Sequence, residues 1–224
     1  MTNPSGWQVP EGGEIKYLTD EELRKFFAAI AKVKNEVIRK RDLAMFHIIL
    51  AYGLRCAEVP LLRFMDFNGA ISPAQLQVTR VKRKRDPKTL EPKPRLKRWY
   101  DVTPANTKLI NAWLEVRGTY HRAKDNPALF LTFHSTEEHS FSTAHIYDLV
   151  RDYGKLAKLE RHIHPHMWRH TTAVKMAQAG HSAYDIMYQL GHTNILSGQT
   201  YVNRFGAERA ALSVKIAKAL EFER

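Results

Sequence analysis

Residues 165–201 read PHMWRHTTAVKMAQAGHSAYDIMYQLGHTNILSGQTY. Pro165 suits a first helical turn, where a missing N–H costs no intrahelical bond. The stretch therefore predicts a helix over 165–179 stopped by Gly180, then shorter helices over 183–190 and 196–202. Within the first, His166, Arg169 and His170 stand three and four residues apart and share a face. Leu190-Gly191-His192 follows a helix and a glycine stop, and Tyr201 comes nine residues after that histidine. Far upstream, Gly53-Leu54-Arg55-Cys56-Ala57-Glu58 places another arginine just past a second glycine stop.

The rest of the chain frames these residues. Residues 1–16 are polar and rich in Pro and Gly, and read as a flexible arm. Thr19-Asp20-Glu21-Glu22 is a capping-box pattern, and Leu23, Phe26, Phe27 and Ile30 recur behind it at helical spacing. A second helix is expected from Val37 or Asp42 to Tyr52, followed by a helical turn from Arg55 to Val59. Residues 64–103 read as β-rich: Leu76, Val78 and Arg80 alternate as a strand, and Trp99, Tyr100 and Val102 resume after a Pro-rich, charged break. That pattern predicts a hairpin with a long tip. Helices are expected over 105–116 and 143–157, the latter capped by Ser142, and an amphipathic one over 207–224. The fold class is mainly α with a small antiparallel sheet, one domain with an arm.

Composition narrows the partner. Thirty-five Lys and Arg against twenty-three Asp and Glu leave a formal charge of +12. Such a surplus points to nucleic acid, with an anionic membrane surface as the alternative. The stretch 80–98 alone carries ten cations against two acids. DNA contact is therefore expected from Arg80, Arg83, Arg85, Lys88, Lys93, Arg95, Lys97 and Arg98. Cys56 is the single cysteine, so no internal disulfide forms, which fits a reducing compartment. Neither a signal-peptide pattern nor an apolar run of membrane-span length is present, and a soluble cytoplasmic protein associated with the nucleoid is expected.

The residue types suit phosphoryl transfer. A planar guanidinium donates two parallel hydrogen bonds to phosphate oxygens. Imidazole moves protons near neutrality. A tyrosine hydroxyl attacks poorly unless a base or a cationic field helps it. Each piece alone also has a bland reading: a polar helix face, a surface Arg55–Glu58 pair, a packing tyrosine. A metal reading competes, since His166 and His170 have zincin spacing and His162, His164 and His166 alternate. A zincin helix needs Glu directly after its first His, and Met167 stands there instead.

Taken together, a Gly-Leu-Arg-x-x-Glu box, a hairpin lysine, a His-x-x-Arg-His box and a Leu-Gly-His followed nine residues later by Tyr resemble the tyrosine recombinase (phage integrase) family. The resemblance runs from about Tyr17 to Tyr201. It implies that Arg55 and Arg169 hold a scissile phosphate, His166 takes the proton of the nucleophile Tyr201, and His192 bonds a phosphate oxygen. Glu58 and His170 support the site. A lysine protonates the leaving oxygen: Lys82 is favoured by strand counting and Lys84 is the alternative. The implied reaction passes through a 3′-phosphotyrosine and needs no metal, cofactor or ATP. The implied partners are double-stranded DNA, a homotetramer on two sites, and an accessory DNA-binding protein. With the resemblance beginning near residue 17, no space is left for the helical domain that commonly precedes this catalytic domain, as in short fimbrial phase-switching recombinases; Xer-type recombinases are also similar. A topoisomerase of type IB and a non-cleaving DNA-binding relative are the other readings.

Overall fold

The computed structural model describes residues 16–81, 96–119, 125–132, 141–192 and 194–205. Seven helices and three strands lie within them: α1 Asp20–Ala31, α2 Glu36–Tyr52, β1 Phe67–Asn68, β2 Ala74–Arg80, β3 Leu96–Val102, α3 Pro104–Gly118, α4 Thr143–Leu156, α5 Pro165–Gln178, α6 Ala183–Leu190 and α7 Leu196–Phe205. The expected class, mainly helical with a small antiparallel sheet, is the one observed.

Caps set most boundaries. The Glu22 amide donates to the Thr19 hydroxyl at 3.2 Å and the Thr19 amide to the Glu22 carboxylate at 2.8 Å, closing the capping box on α1. Asn35 starts α2 by accepting from the amides of Val37 and Ile38, so this helix begins slightly earlier than its apolar stripe suggests. Gly53 ends α2 in the left-handed conformation, φ 55°. A Cβ there would stand 2.3 Å from Leu190 Cδ2, so this glycine also lets α2 and α6 meet end to end. The expected helical turn at Arg55–Val59 is instead a tight turn, with the Glu58 amide donating to the Arg55 carbonyl, followed by a short 3₁₀ turn at Val59–Leu61.

The sheet order is β1-β2-β3, both pairs antiparallel, with Leu76 opposite Tyr100 and Arg80 opposite Leu96. Inward positions of β2 are Ala74, Leu76, Val78 and Arg80, a strict period of two. Strand β3 starts at Leu96, three residues before the expected Trp99. The core packs around Trp168 of α5, whose ring meets Phe26 of α1 at 4.7 Å and Phe46 of α2 at 5.2 Å between centroids. Tyr153 of α4 joins that cluster and donates its hydroxyl to the buried Asp42 at 2.5 Å. Helix α5 is thus anchored by the residue immediately before Arg169. Among the described residues no helix is long and apolar enough to cross a membrane. The expected arm over 1–16, apart from Lys16, the expected hairpin tip and the expected helix over 207–224 lie outside the described residues.

Candidate active site

Four elements bring the singled-out residues to one cleft of about 280 Å³. Arg55 reaches it from the turn after α2, and His166, Arg169 and His170 from one face of α5. His192 arrives just past the end of α6, and Tyr201 from α7.

Arg55 is held by Glu58. Its amide donates to one carboxylate oxygen at 2.9 Å and its guanidinium to the other at 2.9 Å. Glu58 is fully buried. Burial alone would raise its pKa, but Arg80, the Arg55 amide, and the charges of Arg55 and Arg169 outweigh this and hold it below the usual carboxylate value. Arg169 is only 8% exposed. Its guanidinium donates to the Gly53 carbonyl at 2.6 Å and to the Leu190 carbonyl. Burial, then the charges of Arg55 and Arg80, press its pKa down, so the pocket presents positive charge that an incoming anion would relieve.

The α6 end is gripped from three sides. The Tyr188, Gln189 and Leu190 carbonyls accept, respectively, from Arg98 of β3, Arg80 of β2 and Arg169 of α5. Carbonyls of a last helical turn lack their usual helical donors and carry the negative end of the helix dipole, which is why cations gather there. Gly191 then turns the chain, φ 63°, and delivers His192 to the cleft. Burial, then Arg169 and Arg55, push the His192 pKa down to about 3, which keeps the imidazole neutral.

Tyr201 is 9% exposed and its hydroxyl is hydrogen-bonded to His170 Nδ1. Burial lifts the phenol to about 12, partly offset by Arg169. Burial and then the neighbouring His166 lower His170 to about 4, which keeps its ring neutral at pH 7. The family resemblance implies His166 as the base, whereas the imidazole bonded to the Tyr201 hydroxyl is that of His170. The register of the helices explains the difference: Tyr201 packs among Ala173, Val174 and Ala177, the later turns of α5. The nearest imidazole is therefore His170, one turn beyond His166, which is exposed at the cleft wall.

A family model described as the phage integrase family matches residues 16–207. The chain belongs to the phage integrase family. This integrase-family chain is 28% identical to tyrosine recombinase XerC of Chromobacterium violaceum over 161 residues, which are 72% of this chain and 47% of that protein. The fold is similar to the crystal structure of XerA recombinase, with TM-score 0.67, 22% identity, and coverage of 89% of this chain and 62% of that one. It is also similar to XerH site-specific recombinase bound to palindromic difH substrate in a post-cleavage complex, with TM-score 0.69, 23% identity, and coverage of 94% and 56%. The chain spans about half the length of the curated relatives it matches.

The expected DNA-contacting cations divide. Arg80 is a correction: it is 1% exposed and its guanidinium is bound inside the protein, because the alternation of β2 turns it inward. Arg98 is half-buried, with its guanidinium 4.2 Å from the Tyr188 ring. Lys97 is exposed on β3. Lys82, Lys84, Arg83, Arg85, Lys88, Lys93 and Arg95 lie outside the described residues. Sequence reasoning missed Ser197 and Thr200, which line the cleft beside Tyr201. Their positions one helical turn and one residue before Tyr201 were the available signal. His162, His164 and His166 are all exposed, and the described residues contain no group of three potential metal ligands.

Proposed function

We propose that this chain is the catalytic part of a site-specific DNA recombinase that cuts and rejoins strands through a covalent link to Tyr201. The convergence of Arg55, Arg169, His170, His192 and Tyr201 on one cleft carries this reading. Arg55 and Arg169 bind the non-bridging oxygens of the scissile phosphate and offset charge as it grows. His192, neutral, donates a hydrogen bond to the same group. Tyr201 Oη attacks phosphorus as its proton passes to His170, and His166 faces the substrate from the cleft wall. The bond from phosphorus to the 5′-oxygen breaks, leaving a 3′-phosphotyrosine. The 5′-oxygen takes a proton from Lys82 or Lys84, the hairpin lysines of the sequence reading. A 5′-hydroxyl of another strand reverses the step, since the linkage conserves the bond energy.

Double-stranded DNA as partner is supported by the charge of +12 and by similar folds solved with DNA, among them the Tn1549 transposon integrase in complex with a circular intermediate. On this reading 17–206 form the catalytic domain, 1–16 a DNA-gripping arm and 207–224 a helix exchanged between protomers of a tetramer. The test is covalent trapping on nicked DNA. A denaturation-resistant adduct is expected from the unaltered chain and none from Tyr201→Phe, with DNA binding retained; an adduct formed by Tyr201→Phe would overturn the assignment.

A further inference from the structure

Arg80 takes no direct part in the chemistry above, yet it is among the largest fully buried side chains of the protein. It occupies an inward strand position after Ala74, Leu76 and Val78, where an apolar side chain would be the simplest filling. A guanidinium stripped of water is tolerated only where its donors find acceptors and its charge finds a partner. Arg80 finds both. Nη1 donates to Glu58 at 2.8 Å, and Nη2 to the Tyr52 carbonyl at 2.9 Å and the Gln189 carbonyl at 2.5 Å. The Tyr100 hydroxyl accepts from Nε at 3.1 Å and from Nη2 at 2.7 Å, and itself donates to the Gln189 carbonyl at 3.2 Å.

These acceptors belong to separate parts of the fold. Glu58 holds Arg55. Tyr52 ends α2 immediately before Gly53, whose carbonyl binds Arg169. Gln189 lies in the last turn of α6, three residues before His192. The Arg80 stem also lies against the turn itself: a Cβ on Gly191 would meet its Cγ and Cδ at 3.3 Å. The Val81 amide donates to Glu58 as well, tying the end of β2 to the same carboxylate.

We propose that Arg80 is a positioning residue: its buried guanidinium sets Arg55, through Glu58, and His192, through the Gln189 carbonyl, in the relative placement that phosphate binding requires. This rests on the recombinase reading for its catalytic readout. Lysine carries charge to Glu58 but cannot span Glu58, Tyr52 and Gln189 with one ammonium. In Arg80→Lys, single-turnover adduct formation at saturating protein falls about tenfold or more, as expected when reacting groups are misplaced. DNA affinity stays within about twofold, because surface cations carry it.

A second readout does not depend on cleavage. The Arg55 Nε–H resonance, assigned by its loss in Arg55→Lys, shifts in Arg80→Lys if Arg80 positions Arg55. An unchanged cleavage rate or an unchanged resonance in folded Arg80→Lys overturns the proposal, as does a loss of DNA affinity matching the loss of rate. If the unaltered chain forms no adduct, the recombinase reading fails and the resonance alone decides the role of Arg80. Should Arg80→Lys not fold, Arg80→Met/Glu58→Gln removes both buried charges and is compared with Glu58→Gln; a further loss of rate is expected, and equal rates would overturn the proposal.

Discussion

The cleft has two unequal halves. On the side proposed to hold phosphate, Arg55, Arg169 and His192 are fixed by a buried carboxylate and by guanidiniums bonded to three consecutive carbonyls of α6. On the side proposed to carry the nucleophile, Tyr201 sits on the short α7 in an apolar cluster with residues of α5 and α6, its hydroxyl bonded to His170. On the proposed reading the work is divided: one half holds charge in place, and in the other the Tyr201 hydroxyl passes its proton to the neighbouring imidazole. Preorganised donors act without reorganisation cost at the moment of reaction, which is where such sites gain most.

The proposed roles of the two halves separate under substitution. Tyr201→Phe removes the nucleophile, and adduct formation on nicked DNA should vanish while gel-shift affinity persists. Arg169→Ala strips one donor from the fixed half and should slow single-turnover cleavage about 10²–10³-fold, with only a modest loss of affinity; normal cleavage by this variant would remove Arg169 from the phosphate site. His170→Ala and His166→Ala decide which imidazole serves the proton-moving half. If His170 takes the phenol proton, its loss should slow cleavage on the order of 10²-fold, and should do so more than loss of His166 at pH 7; the reverse order would return the base to His166.

A pH titration gives a smaller effect. His170 and His192 are held neutral, with pKa values of about 4 and about 3, against an ordinary value of 6.5. Folded-state values lowered below unfolded ones mean that the unfolded chain binds more protons as pH falls. Stability should therefore be full above about pH 6.5 and decline from there toward pH 4, with a slope of up to about 1.4 kcal/mol per pH unit for each such histidine. Urea melts of His170→Asn between pH 7 and 4 should show a shallower decline than the unaltered chain; parallel curves would contradict the neutral, buried histidine.

Legibility in the sequence followed local physics. Thr19, Ser142, Gly53 and Gly191 are caps and stops whose effect is confined to a helix end, and their helices begin or end where these residues stand. The alternation Leu76, Val78, Arg80 likewise gave β2 its inward face. Arg80 has the charge of a DNA contact but the register of a core residue: the same alternation that marks the strand points its guanidinium inside. Tyr201 meeting His170 was not legible, because two histidines one turn apart on α5 are distinguished only by where α7 lies along that helix. The grip on α6 was hidden for a similar reason, since backbone carbonyls carry no residue identity and their donors come from β2, β3 and α5.

Isolating the protein–DNA adduct, digesting it and identifying the nucleotide-linked peptide by mass spectrometry tests Tyr201 as the attacking residue. The expected result is a peptide carrying Tyr201 joined to a 3′-phosphate, with a free 5′-hydroxyl on the released strand. An adduct at another tyrosine, or one bearing a 5′-phosphate linkage, would contradict it.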